Sequence, residues 1–386
     1  MIKLLKNVHI YAPAPLGKKD ILITDRKICR ISDKIDGYED LPDVEVFDLT
    51  GKTAVPGYID LHEHITGGGG EQGPSSRVPE ARLSELIASG ITTVVGLLGT
   101  DGITRSLPSL IAKARALTEE GITAFALTGS YGCPTVTVTG SVEKDLVMLD
   151  PIIGVKVAVS DHRSSAPSGE ELIRLAAEAR RGGLLSGTPG LTVIHMGSGK
   201  AGLDPVFYIL DHSDVPAKNL LPTHMQRTPE LIRQGAELVR RGGYIDFTAG
   251  CTDGELEETA GKLFDFLRSG AAASGHVTVS SDAYGSQPRF DSGGACTGLT
   301  YSSPRSLHRT VQALVSRGLP LEEALEPVTS TPALLLGQQG RKGCLAPGAD
   351  ADLLILDGGL EVEHVFARGR KAMWEKEVLL KGKFEA

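Results

Sequence analysis

Eight short apolar runs punctuate the middle of the chain, and segments of helical pattern separate them. The runs lie at residues 55–61, 92–98, 123–128, 153–159, 192–195, 220–224, 244–248 and 277–281. The clearest helical segment, 168–181, opens on a capping box of Ser168 and Glu171 and is expected to close on Gly182–Gly183. Residues 228–241, 255–268 and 303–317 have the same character. Strict alternation of strand and helix requires a parallel sheet covered by helices, and eight repeats favour a barrel over an open sheet. Periodicity alone does not close it.

The two ends read differently. Residues 1–52 hold strand-like stretches at 21–23, 28–31 and 44–49, separated by Asp, Gly and Pro turns; 348–356 and 362–367 resemble them. We therefore expect an α/β chain with a (β/α)8 TIM-like barrel over 55–337. A small β-sandwich domain is expected from both chain ends, 1–54 together with 338–386. Hydrophobic residues make up 41% and charged residues 23%, which suits a buried core in a soluble protein. A formal net charge of −8, with no basic stripe, argues against nucleic acid as a partner. No apolar run approaches the ~18 residues of a membrane span, and the first residues lack the apolar centre of a signal sequence. A cytoplasmic location without a membrane partner is the expectation. The five cysteines are scattered and form no C-x-x-C pair, so neither a disulfide framework nor a cysteine metal site is expected.

The chemistry begins at His62–Glu63–His64, where the first run ends. Strand geometry puts both imidazoles on one side, where they can grip one cation. Three more ligand types stand at the ends of other runs: His195 ends LTVIH, His224 ends LLPTH and Asp282 ends VTVSSD. The C-terminal strand ends of a parallel barrel converge on one mouth, so these four clusters meet there. Lys156 sits inside the apolar run IIGVKVAV. Burial favours its neutral amine, which can add carbon dioxide and become a carbamate able to bridge two cations. A lysine that snorkels or forms an ion pair is the plain alternative; the surrounding ligands favour the carbamate.

VPGYIDLHEH, the Lys156 run, His195, His224 and Asp282 together resemble the amidohydrolase superfamily in its binuclear metal form. The flanking segments HITGGGGEQGP (64–74), TGSYGCPTVTVTGS (128–141), VSDHRSSAP (159–167), PTHMQR (222–227) and SSDAYGSQPRFD (280–291) narrow the resemblance to the isoaspartyl (β-aspartyl) dipeptidases. TSTPALLLG (329–337) and GCLAPGADADLLILD (343–357) extend it almost to the C-terminus. One departure is Ala283–Tyr284 after the aspartate, where the family pattern has Gly–Asn.

The resemblance implies a metallo-dipeptidase that cleaves the isopeptide bond of isoaspartyl dipeptides with a metal-bridging hydroxide. His62 and His64 would hold one Zn2+, His195 and His224 the other, and an N6-carboxylated Lys156 would bridge them. Asp282 would be both ligand and general base, and Tyr131 would polarise the scissile carbonyl. Gly69, Glu71, Thr100, Tyr131, Arg163, Arg227 and Ser286 would bind the substrate. A β-aspartyl dipeptide carries one free ammonium and two carboxylates, which Glu71 with Arg163 and Arg227 match in sign and number. The family also implies a homo-oligomer, an octamer. His9, His212, His276, His308 and His364 fall outside the strand-end pattern and read as surface or packing residues; His162 neighbours Arg163. A cyclic-amide hydrolase of the dihydroorotase or hydantoinase kind would use the same metal core without needing Glu71. A non-catalytic structural oligomer of the same fold would show gaps among the ligands, and none is seen.

Overall fold

Gly57 marks the point where the chain passes from one sheet to another. The computed structural model describes residues 2–39, 41–270, 274–290 and 296–385. The first five strands are β1 (Ile2–Tyr11), β2 (Pro15–Thr24), β3 (Lys27–Ser32), β4 (Val44–Asp48) and β5 (Thr53–Pro56). Eight parallel strands follow: β6 (Tyr58–Glu63), β7 (Ile91–Gly96), β8 (Thr123–Gly129), β9 (Ile152–Val159), β10 (Leu191–Met196), β11 (Leu220–Thr223), β12 (Ile245–Thr248) and β13 (Val277–Ser280). An antiparallel pair, β14 (Ser286–Phe290) and β15 (Cys296–Tyr301), comes next. The last strands are β16 (Leu353–Leu356), β17 (Val362–Ala367), β18 (Arg370–Trp374) and β19 (Glu377–Val378).

Strands β6 to β11 form one parallel sheet in chain order, and β12–β13 form a second parallel pair. This pair touches β11 on one side and β6 on the other, and the Ser281 amide donates to both Asp60 carboxylate oxygens, at 3.3 and 3.1 Å. The architecture is thus mixed α/β with a curled parallel sheet. Helices cover its outside through a core that includes Val94, Val155, Val157 and Ile194. Its inner face packs Ile59, Leu61, Val95, Ile153 and Val193 against Leu335 and Leu336. A register shift between β8 and β9 leaves Ile153 without a paired position, so the alternation reverses there. Val155 and Val157 then face the helices, and Lys156 between them turns inward.

The terminal strands come together from both ends. One sheet runs β19-β18-β17-β16-β5-β1-β2-β3, with β4 also paired to β1. Phe47 of β4 packs against Phe366 and Trp374, with ring centroids 6.1 and 4.6 Å apart, so this sheet folds over part of itself. Among the described residues no helix is long and apolar enough to cross a membrane.

Two sequence expectations need correction. The run 55–61 is not one strand, because β5 pairs with β1 and β16 while β6 joins the parallel sheet. The break falls at Gly57, whose amide donates to Asp352 O at 2.9 Å. The helix Gly169–Ser186 runs through Gly182–Gly183 and ends at Gly187, whose φ is 71°. A Cβ on Gly183 would lie 2.6 Å from the Gly190 backbone, so these glycines serve close packing and not termination. The capping box of Ser168 and Glu171 is present.

A Cβ on Gly57 would lie 2.3 Å from Thr92 Oγ1 and 2.6 Å from Thr92 Cγ2. Gly57→Ala should therefore cost about 1–3 kcal/mol of stability, as overpacking does. Thr92→Ala in the same chain should return part of that loss. Urea unfolding of the two single variants and the double variant measures the coupling.

Candidate functional site

The C-terminal ends of the parallel strands gather the chemistry. His62 lies on β6, Lys156 on β9 and His195 on β10, while His64 and His224 follow β6 and β11 directly and Asp282 stands two residues beyond β13. All six are buried. His224 and Asp282 take left-handed backbone, with φ of 67° and 52°, a conformation costly for residues with a Cβ and held by the surrounding structure.

Two of the four imidazoles and one carboxylate form a compact set. Ligand atoms of His62, His64 and Asp282 all lie within 4.8 Å of one another. His64 Nε2 is 3.1 Å and His62 Nε2 3.4 Å from Asp282 Oδ1. The Gln287 amide donates to the other Asp282 oxygen at 3.2 Å. Burial opposes the Asp282 charge, but the His64 bond and the nearby His62 and Lys156 outweigh it and hold the carboxyl well below its usual range. Lys156 Nζ stands 3.1 Å from His62 Nε2. Burial pushes its pKa down to about 7, partly offset by Asp282 and Asp246, so a large neutral fraction exists near neutrality.

His195 and His224 lie next to this set. Their ring centroids are 4.5 Å apart, and His224 is 5.1 Å from His62. His224 Nδ1 is 2.6 Å from Thr248 Oγ1, which leaves Nε2 without a partner; His64 Nδ1 also has none. Both His195 nitrogens are engaged: the Tyr131 hydroxyl lies 2.7 Å from Nδ1 and Asp161 Oδ2 lies 2.9 Å from Nε2. His195 would exchange one of these partners to coordinate a cation. Unpartnered imidazole nitrogens, a carboxylate and a buried amine form a donor set that fits divalent ions of the zinc type.

A cavity of about 940 Å3 opens above these groups. It is lined by every residue singled out for substrate, namely Gly69, Glu71, Thr100, Tyr131, Arg163, Arg227 and Ser286, and by His64, His195 and Asp282. His62 and Lys156 are not among its lining residues, and His224 lines a smaller cavity that shares Arg227, Asp282 and Gln287 with it. Gly69 has φ 82°, and a Cβ there would lie 2.3 Å from Ser76 O, so glycine alone allows this close loop. Thr100 Oγ1 donates to Glu71 Oε1 at 3.2 Å, and Arg163 Nη1 stands 3.6 Å from the same oxygen. Arg227 Nη1 donates to Met196 O at 2.7 Å. Burial raises the Tyr131 phenol well above its ordinary range, which keeps it a neutral hydrogen-bond donor.

Sequence reasoning passed over Asp161, the carboxylate that joins these cations. Its oxygens accept from Arg163 Nε at 3.0 Å and Nη2 at 2.9 Å, while Arg227 Nη1 lies 3.7 Å away. Burial would raise its pKa, yet the bonds from His195 and Arg163 hold it far below the carboxylate range. The available signal was its place two residues before Arg163, inside a quoted family segment. Thr248 was also missed, since its partner His224 follows another strand, and so was Gln287, five residues beyond Asp282, because only the turn between them brings the two together. Tyr284, at the Ala–Tyr departure, has φ 59°, where Gly or Asn is relaxed. Its hydroxyl donates to Glu85 Oε2 at 2.7 Å and anchors the loop. His162 is exposed at the cavity rim; Asp291 of the segment 280–291 lies outside the described residues. Of the histidines set aside, His212, His276, His308 and His364 stack on Tyr208, Tyr244, Tyr58 and Trp374.

Residues 234–380 match the sequence model of the amidohydrolase family. The chain is similar to the solved β-aspartyl dipeptidase of Fervidobacterium islandicum AW-1 in complex with β-Asp-Leu dipeptide. It is 41% identical, 98% of each chain is covered, and the TM-score is 0.91. A D-hydantoinase structure is similar in fold, at 19% identity and TM-score 0.72 over 100% of this chain and 98% of that one. Adenine deaminase 2 of Oenococcus oeni is 26% identical over 376 residues, which cover 91% of this chain and 55% of that protein. The chain thus spans about half the length of that relative.

Asp161→Asn should destabilise the protein by about 1–3 kcal/mol at pH 7, because it leaves the half-buried guanidinium groups of Arg163 and Arg227 without their anion. A carboxyl held below its unfolded pKa stabilises the fold above that value, ~3.9, and loses this contribution as pH falls towards the folded value. The gap between wild type and variant should therefore narrow below about pH 4. Urea midpoints at pH 7 and pH 3 test both statements.

Proposed function

Because the chain belongs to the β-aspartyl dipeptidase family of amidohydrolases, we propose that it hydrolyses the isopeptide bond of β-aspartyl dipeptides. The observation that carries this reading is the pairing of opposite charges at one wall of the cavity. Glu71 and Arg163, 3.6 Å apart, stand ready for an ammonium and a carboxylate borne on neighbouring atoms. A β-aspartyl residue has that head group, since its linkage through the side chain leaves both α-substituents free. Arg227 offers a second cation for the carboxylate of the departing residue.

His62, His64 and Asp282 would hold one Zn2+, and His195 with His224 the other, with Lys156 as the carbamate between them. Two such ions would supply Lewis acidity and a water activated at neutral pH. The protein's own groups do the remaining work. Thr100 fixes Glu71, and Gly69 lets the loop backbone approach the substrate. Asp161 occupies the Nε–Nη2 edge of Arg163, so Nη1 is the edge left for an anion. Tyr131, kept neutral by burial, donates to the carbonyl oxygen once it releases His195. Asp282 takes the proton freed when water adds to the carbonyl and returns it to the leaving nitrogen, while Gln287 holds its second oxygen. Ser286 would add a hydroxyl at the cavity wall.

The same reading takes the parallel strands as a closed eight-stranded barrel over 55–337. The terminal sheet, 1–54 with 338–386, becomes a β-sandwich domain. It also takes the protein as a cytoplasmic homo-oligomer, an octamer, which sedimentation would test.

Glu71→Leu should lower kcat/KM for free β-aspartyl dipeptides by about 10²–10³-fold, the effect of removing one partner of a positioned charge pair. Both metals should remain, and wild type should treat N-acetyl β-aspartyl dipeptides as poorly as the variant treats the free ones. Equal rates on free and acetylated substrate, or preference for dihydroorotate or a hydantoin, would replace the dipeptidase reading by the cyclic-amide one.

Lys156→Ala should lose bound metal and activity together, and small carboxylates such as acetate should restore part of both. Metal content by plasma emission, set beside turnover, reads this directly. A variant with two metals and normal turnover would exclude the carbamate.

A further inference from the structure

Opposite the mouth, where β8 and β9 begin, a separate cavity of about 530 Å3 lies between the parallel strands and the terminal sheet. A smaller one of about 240 Å3 adjoins it and shares Arg26 and Arg368. Arg26 stands in the β2–β3 turn, Arg368 in the β17–β18 turn, and Arg370 begins β18. Seven cationic side chains line the two cavities against three carboxylates. One of these, Asp350, is shared by Lys27 at 2.6 Å, Lys342 at 3.1 Å and Arg341 at 3.3 Å. The other two, Glu119 and Asp150, are exposed. Lys342 also pairs with the buried Asp352 at 2.6 Å, so an excess of three positive charges is concentrated in a concave site of a chain whose formal net charge is −8.

Arg26, Arg115, Arg368 and Arg370 have no carboxylate within ion-pair distance among the described residues. Arg368 is fixed in place. Its Nη1 donates to Thr118 O at 2.7 Å, at the end of the helix Leu107–Glu120, and its backbone amide donates to Asp352 Oδ1 at 2.6 Å. Burial lowers the Arg368 pKa and the charge of Arg26 lowers it further, while Asp352 and Asp350 oppose them. Guanidinium groups that line one cavity without carboxylate partners offer forks matched to a tetrahedral anion. Arg26 and Arg370 are exposed and Arg368 is half-buried, so the site opens to solvent.

We propose that this cavity binds a phosphate-type oxyanion, free or as the phosphoryl group of a small metabolite, through Arg26, Arg368 and Arg370. The site lies at the far end of the strands from the substrate cavity and does not depend on how that cavity is read.

The test is calorimetric titration of the metal-loaded enzyme with inorganic phosphate and, separately, with glycerol phosphate, at ionic strength held constant with NaCl. Wild type should bind one equivalent and gain thermal stability. The double variant Arg26→Ala/Arg370→Ala should bind at least 10-fold more weakly, keep wild-type kcat/KM and, in phosphate-free buffer, melt no lower than wild type, since two like charges are gone. Tighter binding of phosphate identifies the free ion as ligand, and tighter binding of glycerol phosphate identifies a phosphoryl group; either supports the site. Equal affinity in the double variant would place the anion elsewhere, the metal centre included. A wild type that responds only to ionic strength would show an adventitious ion only. Each of these overturns the proposal.

Discussion

Burying charge is expensive, and this molecule concentrates the expense at one end of a curled sheet. His62, His64, Lys156, His195, His224 and Asp282 are all removed from water there. An unpaired ion in such a place costs several kcal/mol, so each group must either shed its charge or find a counter-charge. Lys156, His62, His195 and His224 do the first, because burial lowers the pKa of each. Asp282 and Asp161 do the second, kept ionised by the donors around them. The result is a pocket of neutral ring nitrogens and fixed anions, the protonation states in which side chains accept a cation.

The backbone shares this cost. His224 and Asp282 stand in left-handed conformations at strand ends, and Tyr284 follows in another. These strained positions survive because bonds from separate elements pin them: Thr248 holds His224, Gln287 holds Asp282, and Glu85 holds Tyr284. The ordered strands beneath, with their apolar inner and outer faces, supply the rigidity that such pinning needs. The two ends of the strands divide the electrostatics between them. The mouth balances anions against cations residue by residue, whereas the base leaves arginines uncompensated.

Much of this was legible in the chain. Apolar runs locate all eight parallel strands, since a strand covered on both faces has to be nearly continuous in apolar residues. The residues at the ends of those runs locate the site, because parallel strands bring their C-terminal ends to one face. Ser168 and Glu171 mark a helix start through a bond that spans only three residues. Gly57 and Gly182–Gly183 misled, since a glycine looks the same in sequence whether it turns the chain, ends a helix or lets two elements approach.

What the amino-acid order determined by itself is therefore local: strand positions, helix starts, and which ligand-bearing residues fall at strand ends. Only the folded structure decided how those ends meet. It paired Asp161 with Arg163, His195 and Arg227, set Gln287 on Asp282, and turned Lys156 inward through the extra residue opposite β8. It also brought Arg26 and Arg370, some 340 positions apart in a chain of 386, to the two sides of one basic cavity. Periodicity reports the face on which a side chain lies, but a hydrogen bond or a charge cluster between distant segments depends on their separation in space. That separation is set by packing of the whole core, to which no single window of sequence has access.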